Sequence, residues 1–203
     1  MMKDTGERVI PELMKPMNKL LLEHIARYQF ALHYVKGRVL DLSCGSGYGT
    51  HMIAKEKKNQ IDEVIGVDID SEIITYAKGT YYHPQSSFLV LDAIDLSVPG
   101  LLGQSDSIVS FETIEHIEQE TNLLDNYFHL LKPGGILMVS TPFGEGRGIT
   151  CGSPFHVHQL PPLEFKSLFG NYSKTEYFYQ KGVLIEPEGR NVHYPLGIAI
   201  CTK

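Results

Sequence analysis

Three stretches of the sequence hold residues whose types and spacing suit chemistry. The first is DLSCGSGYG (41–49), where glycines at 45, 47 and 49 directly follow an apolar run. Glycine reaches positive φ and carries no side chain, so such a loop turns sharply and lets a ligand approach the backbone. A helix beginning there adds free N–H groups. Gly47 is expected to face that ligand, so that a β-branched residue would fill its space. Asp68 closes the next apolar run, EVIGVD, 19 positions after Gly49. A carboxylate there, at an exposed strand end, can accept both hydroxyls of a ribose. Asp92 closes a third run, SFLVLD, beside the expected adenine position. The dinucleotide pattern G-x-G-x-x-G is not met, because Thr50 occupies its last position, and no Gly-Lys-Ser/Thr phosphate loop follows.

The second stretch is FETIEHI (111–117). Glu112, Glu115 and His116 stand at i, i+3 and i+4, one face of a helix. Two carboxylates and an imidazole suit a divalent ion such as Mg²⁺, Mn²⁺ or Zn²⁺. They equally suit a metal-free base, with Glu115 orienting His116. The third is SPFHVHQL, which offers His156 and His158. His24, His33, His51, His83 and His129 read as ordinary surface or core residues. Tyr177, Tyr179 and Tyr194 read as packing on sheet faces.

The elements that must position these residues alternate. Leu20, Leu21, Ile25, Tyr28, Leu32 and Val35 recur at helical spacing after Pro16. Apolar runs at 38–43, 63–68, 87–92, 106–111 and 136–141 read as strands, with helices at 48–57, 71–78 and 112–131 between them. Strands alternating with helices predict right-handed crossovers and a parallel sheet covered on both faces. A short helix is expected at 162–169. Runs at 175–186 and 193–202 then predict two antiparallel strands, giving seven in all. No repeat or linker divides the chain. One α/β domain is expected over 1–203, with a helical cap at 1–36 and the core at 37–203.

Composition removes other classes. Eighteen basic against 24 acidic residues give a net charge of −6, without the basic footprint of a nucleic-acid binder. No stretch approaches the ~20 apolar residues of a membrane span, and the first 20 residues lack the apolar core of a secretory signal. Three scattered cysteines, Cys44, Cys151 and Cys201, predict a reducing cytoplasm rather than a disulfide framework. Oligomeric state is not readable.

From Val39 to Thr141, and more weakly to the end, the sequence resembles the class I S-adenosylmethionine-dependent methyltransferases. VLDLSCGSGYG, VIGVDID, LDAIDL and LKPGGILMVSTP are similar to their successive motifs. The resemblance implies a Rossmann-like fold with S-adenosylmethionine bound at the strand ends. Asp41 would order the glycine loop and the methionine end. Ser43, Gly45, Gly47 and Tyr48 would lie along the cofactor, and Asp68 would hold the ribose. Ile69 would cover an adenine face, Asp92 would approach the adenine amine beside Ala93, and Phe111 would line the cleft. GERVIPE with EHIARYQFA resembles methyltransferases associated with surface-polysaccharide synthesis, in which Tyr28 and Arg27 would close over the cofactor. FETIEHI resembles the metal motif of ubiquinone-pathway O-methyltransferases and of enzymes that 2′-O-methylate small RNAs. In the RNA enzymes a later histidine joins the site, here His156, so Glu112, Glu115, His116 and His156 form the implied metal set.

A hydroxyl needs a base or a metal to act as a nucleophile near neutral pH. SFET replaces the Asn-Pro-Pro-Tyr loop typical of transfer to a base amine. The expected activity is therefore O-methylation of a small or glycan-like acceptor, with His116, Glu115 and His156 as catalytic residues. Alternatives are a small-RNA or quinone O-methyltransferase and a non-catalytic cofactor-binding protein.

Overall fold

The computed structural model describes residues 8–203; Gly6 and Glu7 of the opening motif, and the start of the expected cap, lie outside them. The Asn18 side chain accepts from the Leu21 N–H and starts helix α1 (Lys19–Ala31), two residues beyond the expected Pro16 boundary. Strands β1 (Gly37–Leu42), β2 (Ile61–Asp68), β3 (Ser86–Val90), β4 (Ser105–Phe111) and β5 (Leu131–Pro142) follow. Between them lie α2 (Tyr48–Glu56), α3 (Ser71–Thr80), α4 (Val98–Leu102) and α5 (Glu120–Leu130). The chain ends with α6 (Pro162–Ser167), β6 (Lys174–Lys181), β7 (Leu184–Glu186) and β8 (Leu196–Thr202).

The sheet runs β3-β2-β1-β4-β5-β8-β6-β7. The first five strands are parallel, and β8 is inserted antiparallel between β5 and β6. Among the described residues there are eight strands rather than the expected seven. Run 175–186 folds back on itself at Gly182, whose φ of +62° permits a two-residue turn that pairs Lys181 with Leu184. Alternation along the strands sends Val39, Val64, Val109 and Met138 against α1 and α2, and Leu40, Ile65, Ile108 and Leu137 against α4, α5 and α6. The predicted doubly covered Rossmann-like sheet is thus present. Among the described residues no helix is long and apolar enough to cross a membrane.

The expected helix over 112–131 is interrupted. A single 3₁₀ turn (Ile114–His116) and α5 replace it, because Glu112 has φ +52° and Ile117 is extended. Glu112 therefore shares no helical face with Glu115 and His116. The third strand ends at Val90, leaving Asp92 two residues beyond it.

Helix α1 lies so close to α2 that the Tyr28 ring fills the space beside Gly49, where an added Cβ would come within 2.0 Å of it. Gly49→Ala is expected to destabilise the fold by about 1–3 kcal/mol through overpacking, read as a lower urea midpoint at unchanged m-value. Unchanged stability would mean that α1 is not fixed there.

Candidate active site

Strand order reverses between β1 and β4, because the chain builds outward to β3 and then returns to the other side of β1. The loops leaving β1 and β4 therefore diverge, and a cleft of about 510 Å³ opens at the carboxyl ends of the strands. Ser43, Gly45, Tyr48, Asp68, Ile69, Phe111 and Tyr28 line it, as do Glu112, Glu115, His116 and His156. Asp41, Gly47, Asp92 and Ala93 are expected site residues that do not line it.

Asp41 is fully buried under the glycine loop. It accepts from the Tyr28 hydroxyl at 3.0 and 3.2 Å and from the Thr50 hydroxyl at 2.6 Å, binding α1 and α2 to the end of β1. Desolvation pushes its carboxyl up to about 6, although both hydroxyls oppose the rise. The glycines have separate tasks. Gly45, at φ +55°, has open space where a side chain would stand. At Gly47 an added Cβ would lie 2.6 Å from Phe88 and 2.7 Å from Ala77, so the missing side chain makes room for packing against α3 and β3.

Asp68 is not a loose strand end. Its carboxylate accepts from the Gly45 N–H at 2.9 Å and the Asp70 N–H at 3.0 Å, shaping the loop it faces. Ile69 beside it is 66% exposed. The Asp92 carboxylate accepts from the Ile94 N–H, and the Ala93 carbonyl accepts from Asn126, so both fix the turn after β3.

At the other end, the chain after β5 returns over the 3₁₀ turn. The Val157 N–H donates to the Glu115 carbonyl at 2.9 Å, and His116 Nδ1 lies 3.0 Å from the Phe155 carbonyl. This docking brings the His116 and His156 rings to 4.8 Å. Ligand atoms of Glu115, His116 and His156 all fall within 4.8 Å of one another. Glu112 is outside this group; its carboxylate turns to Arg27 at 3.5 Å and His24 at 3.7 Å. Burial strongly raises the Glu115 carboxyl, and the Glu112 charge adds to the rise. The Thr141 hydroxyl donates to Glu115 Oε2, while Oε1 is buried without a hydrogen-bond partner. His158 points away from the cleft, buried beside Glu120 at 3.5 Å.

Sequence reasoning missed two basic residues of the cleft. His24 lies three and four positions before Arg27 and Tyr28, on the same face of α1, and contacts the Tyr48 hydroxyl at 3.1 Å. That spacing was the available signal. Arg8 lines the cleft from an irregular segment and pairs with Asp70 at 2.8 Å, which no periodicity marks.

A family model described as a methyltransferase domain matches residues 34–181. A "Probable S-adenosylmethionine-dependent methyltransferase" of Mycolicibacterium smegmatis is 34% identical over 169 residues, 81% of this chain and 62% of that protein. A ubiquinone biosynthesis O-methyltransferase of Xylella fastidiosa is 30% identical over 129 residues, 62% of this chain and 48% of that one. The chain thus spans between about half and three-fifths of the length of these relatives. The crystal structure of an S-adenosylmethionine-dependent methyltransferase from Archaeoglobus fulgidus superposes with a TM-score of 0.65 at 18% identity, over 92% of this chain and 95% of that one.

The buried Asp41 gives a pH test. Its folded pKa, about 6, exceeds the ordinary 3.8, so the fold holds a proton that the unfolded chain releases between these values. Asp41 therefore opposes folding increasingly as pH rises through that window, by about 3 kcal/mol in total. The stability of the wild type relative to Asp41→Asn should fall by about that amount between pH 4 and pH 7 in urea titrations. A flat difference would show that Asp41 is ionised at little cost.

Proposed function

This chain belongs to the family of S-adenosylmethionine-dependent methyltransferase domains, and on that premise we propose that it methylates a hydroxyl of a small or glycan-like acceptor. The observation that carries the reading is one continuous cleft. It joins the open face of Gly45 and the Asp68 carboxylate to the imidazoles of His116 and His156. The first end suits an adenosyl ribose and the exposed Ile69 suits an adenine face; the second suits proton removal. When bound, S-adenosylmethionine supplies a methyl group activated by a sulfonium. The chain's residues hold it, orient the acceptor and take the proton.

His116 is the base in this reading. A carbonyl only accepts hydrogen bonds, so the Phe155 carbonyl fixes the proton on His116 Nδ1 and leaves the Nε2 lone pair as acceptor. As the acceptor oxygen gains the methyl carbon, its proton passes to Nε2. The Gln159 side chain, 2.8 Å from His156 Nδ1, orients the second imidazole.

An outer groove of about 530 Å³ adjoins the cleft at His156 and is lined by 148–154 and Val157. It contains hydroxyls from Thr150 and Ser153 but no Asp, Glu, Lys or Arg, which favours a neutral, hydroxyl-rich acceptor over a nucleic acid. His116→Ala should lower turnover by about 10²–10⁴ while S-adenosylhomocysteine affinity stays within about twofold. Product formation from methyl-labelled donor with a panel of oligosaccharides and small alcohols measures it. Undiminished turnover would remove His116 from the mechanism.

A second reading gives Glu115, His116 and His156 a divalent ion. The partnerless, buried Glu115 Oε1 among their clustered donors favours it. Such an ion would lower the pKa of the acceptor hydroxyl. This reading expects close to one Mg, Mn or Zn per chain by elemental analysis and loss of turnover in chelator. Full turnover in excess chelator leaves the metal-free base.

A further inference from the structure

Glu112 is the one ionisable residue of the FETIEHI string that the readings above leave without a task. Its carboxylate stands on the cleft wall. Behind it lies the Arg27 guanidinium, 2% exposed, whose Nη1 donates to Gln180 at 2.7 Å and whose Nη2 lies 3.5 Å from Glu112 Oε1. Beside it lies His24, with Nε2 3.7 Å from Oε2. Glu112 Oε1 is buried without a hydrogen bond, and the backbone holds this aim at φ +52°, which a non-glycine residue adopts only under constraint. Desolvation opposes a charge here, but Arg27 and His24 outweigh it and keep the carboxyl well below its ordinary range; His156 adds to the effect. The cleft thus presents a fixed anion close to its reacting end.

A methyl group transfers only when sulfur, methyl carbon and acceptor atom are aligned, with the reacting atoms about 3–3.5 Å apart. If His116 takes the acceptor's proton, the acceptor oxygen lies beside His116 and the sulfur one methyl group further along the wall that Glu112 shares. Transfer also changes the charge there. The O–H bond breaks and its proton goes to His116, the O–CH₃ bond forms, and the C–S electron pair returns to sulfur. A sulfonium cation becomes a neutral thioether.

We propose that the Glu112 carboxylate selects the sulfonium of the methyl donor over the neutral thioether product, so that transfer itself weakens the product's hold on the site. This rests on the methyl-transfer reading above. Arg27 reduces the preference without abolishing it, because Glu112 lines the cleft and the guanidinium paired with it does not, so a cation in the cleft stands nearer the carboxylate.

Calorimetry on the full chain tests it with three probes: S-adenosylmethionine, S-adenosylhomocysteine, and sinefungin, in which a protonated amine replaces the sulfonium. The wild type should bind the two cations about tenfold more tightly than the neutral thioether. Glu112→Gln should bring this ratio close to one while leaving S-adenosylhomocysteine within about twofold, and Glu112→Asp should keep most of it. Equal wild-type affinities for the three overturn the proposal even if Glu112→Gln does not fold. So does equal weakening of all three in Glu112→Gln, which would assign the carboxylate to the amino-acid end that they share. Binding of none of the three by the wild type would instead sink the methyl-transfer reading on which the proposal stands.

Discussion

One buried carboxylate sets the geometry of the cleft. Asp41 ends β1 with no access to water and gathers hydroxyls from two helices, Tyr28 of α1 and Thr50 of α2. An ionisable group in such a place is costly unless neutral or well hydrogen-bonded, and its raised pKa records that cost. The return is position. Tyr28 can reach Asp41 only by passing over Gly49, where no larger residue fits. Its ring then meets Tyr48 and Phe111 edge-on, each at 5.3 Å, forming an aromatic wall for the cleft. The glycine loop, the first helix and the cleft wall are therefore one packed unit.

The reacting end depends on a different kind of contact. His116 and His156 are 40 positions apart and meet only because the chain after β5 folds back across the 3₁₀ turn. Main-chain groups make that contact, from the Val157 N–H to the Glu115 carbonyl, with His116 Nδ1 at the Phe155 carbonyl. Behind it, Arg147 bridges Glu120 and Glu164, and His158 packs beside Glu120. The two neighbouring histidines of SPFHVHQL thus divide: His156 enters the cleft and His158 supports the loop from behind. They part because the segment runs through a turn at 154–155 and a bend at 157, whereas on a strand positions 156 and 158 would share a face.

The sheet was legible because its signals are local. Apolar runs, the turn glycines and the acidic strand ends mark β1 to β5 within a few residues. Gly182 was a local signal too, but the run around it is continuously rich in β-formers, so one strand was expected where a hairpin forms. The site was legible in types more than in directions. Gly47 has the residue type that a ligand-facing loop requires, yet its missing side chain makes room for Phe88 and Ala77. Nothing local distinguishes it from Gly45, because the distinction lies in β3 and α3. Glu112, Glu115 and His116 have helical spacing, but helical spacing acts only on a helix. The pull of Arg27 and His24, on a different helix, goes with a left-handed conformation at Glu112 that breaks it. His24 and Arg8 were passed over because their roles exist only once the first helix and the segment before it lie across the cleft.

That break separates two glutamates three positions apart into opposite states. Glu112 faces a guanidinium and an imidazole and keeps its charge, whereas Glu115 is sealed against Thr141 and is driven toward its protonated form. Each state supports the other, since the charge on Glu112 is one of the forces that raise Glu115. Had both stood on one helical face, the two carboxylates would have repelled each other or required a shared cation. With Glu112 turned to Arg27, this end of the cleft carries a fixed anion and, three positions on, a carboxyl that burial drives toward its neutral form. Pairs of like groups held in unlike states mark sites where charge moves during a reaction. The methyl transfer to a hydroxyl proposed above would move two charges at once, the sulfonium's and the proton's, and one cleft lining holds both the Glu112 carboxylate and the imidazoles of His116 and His156.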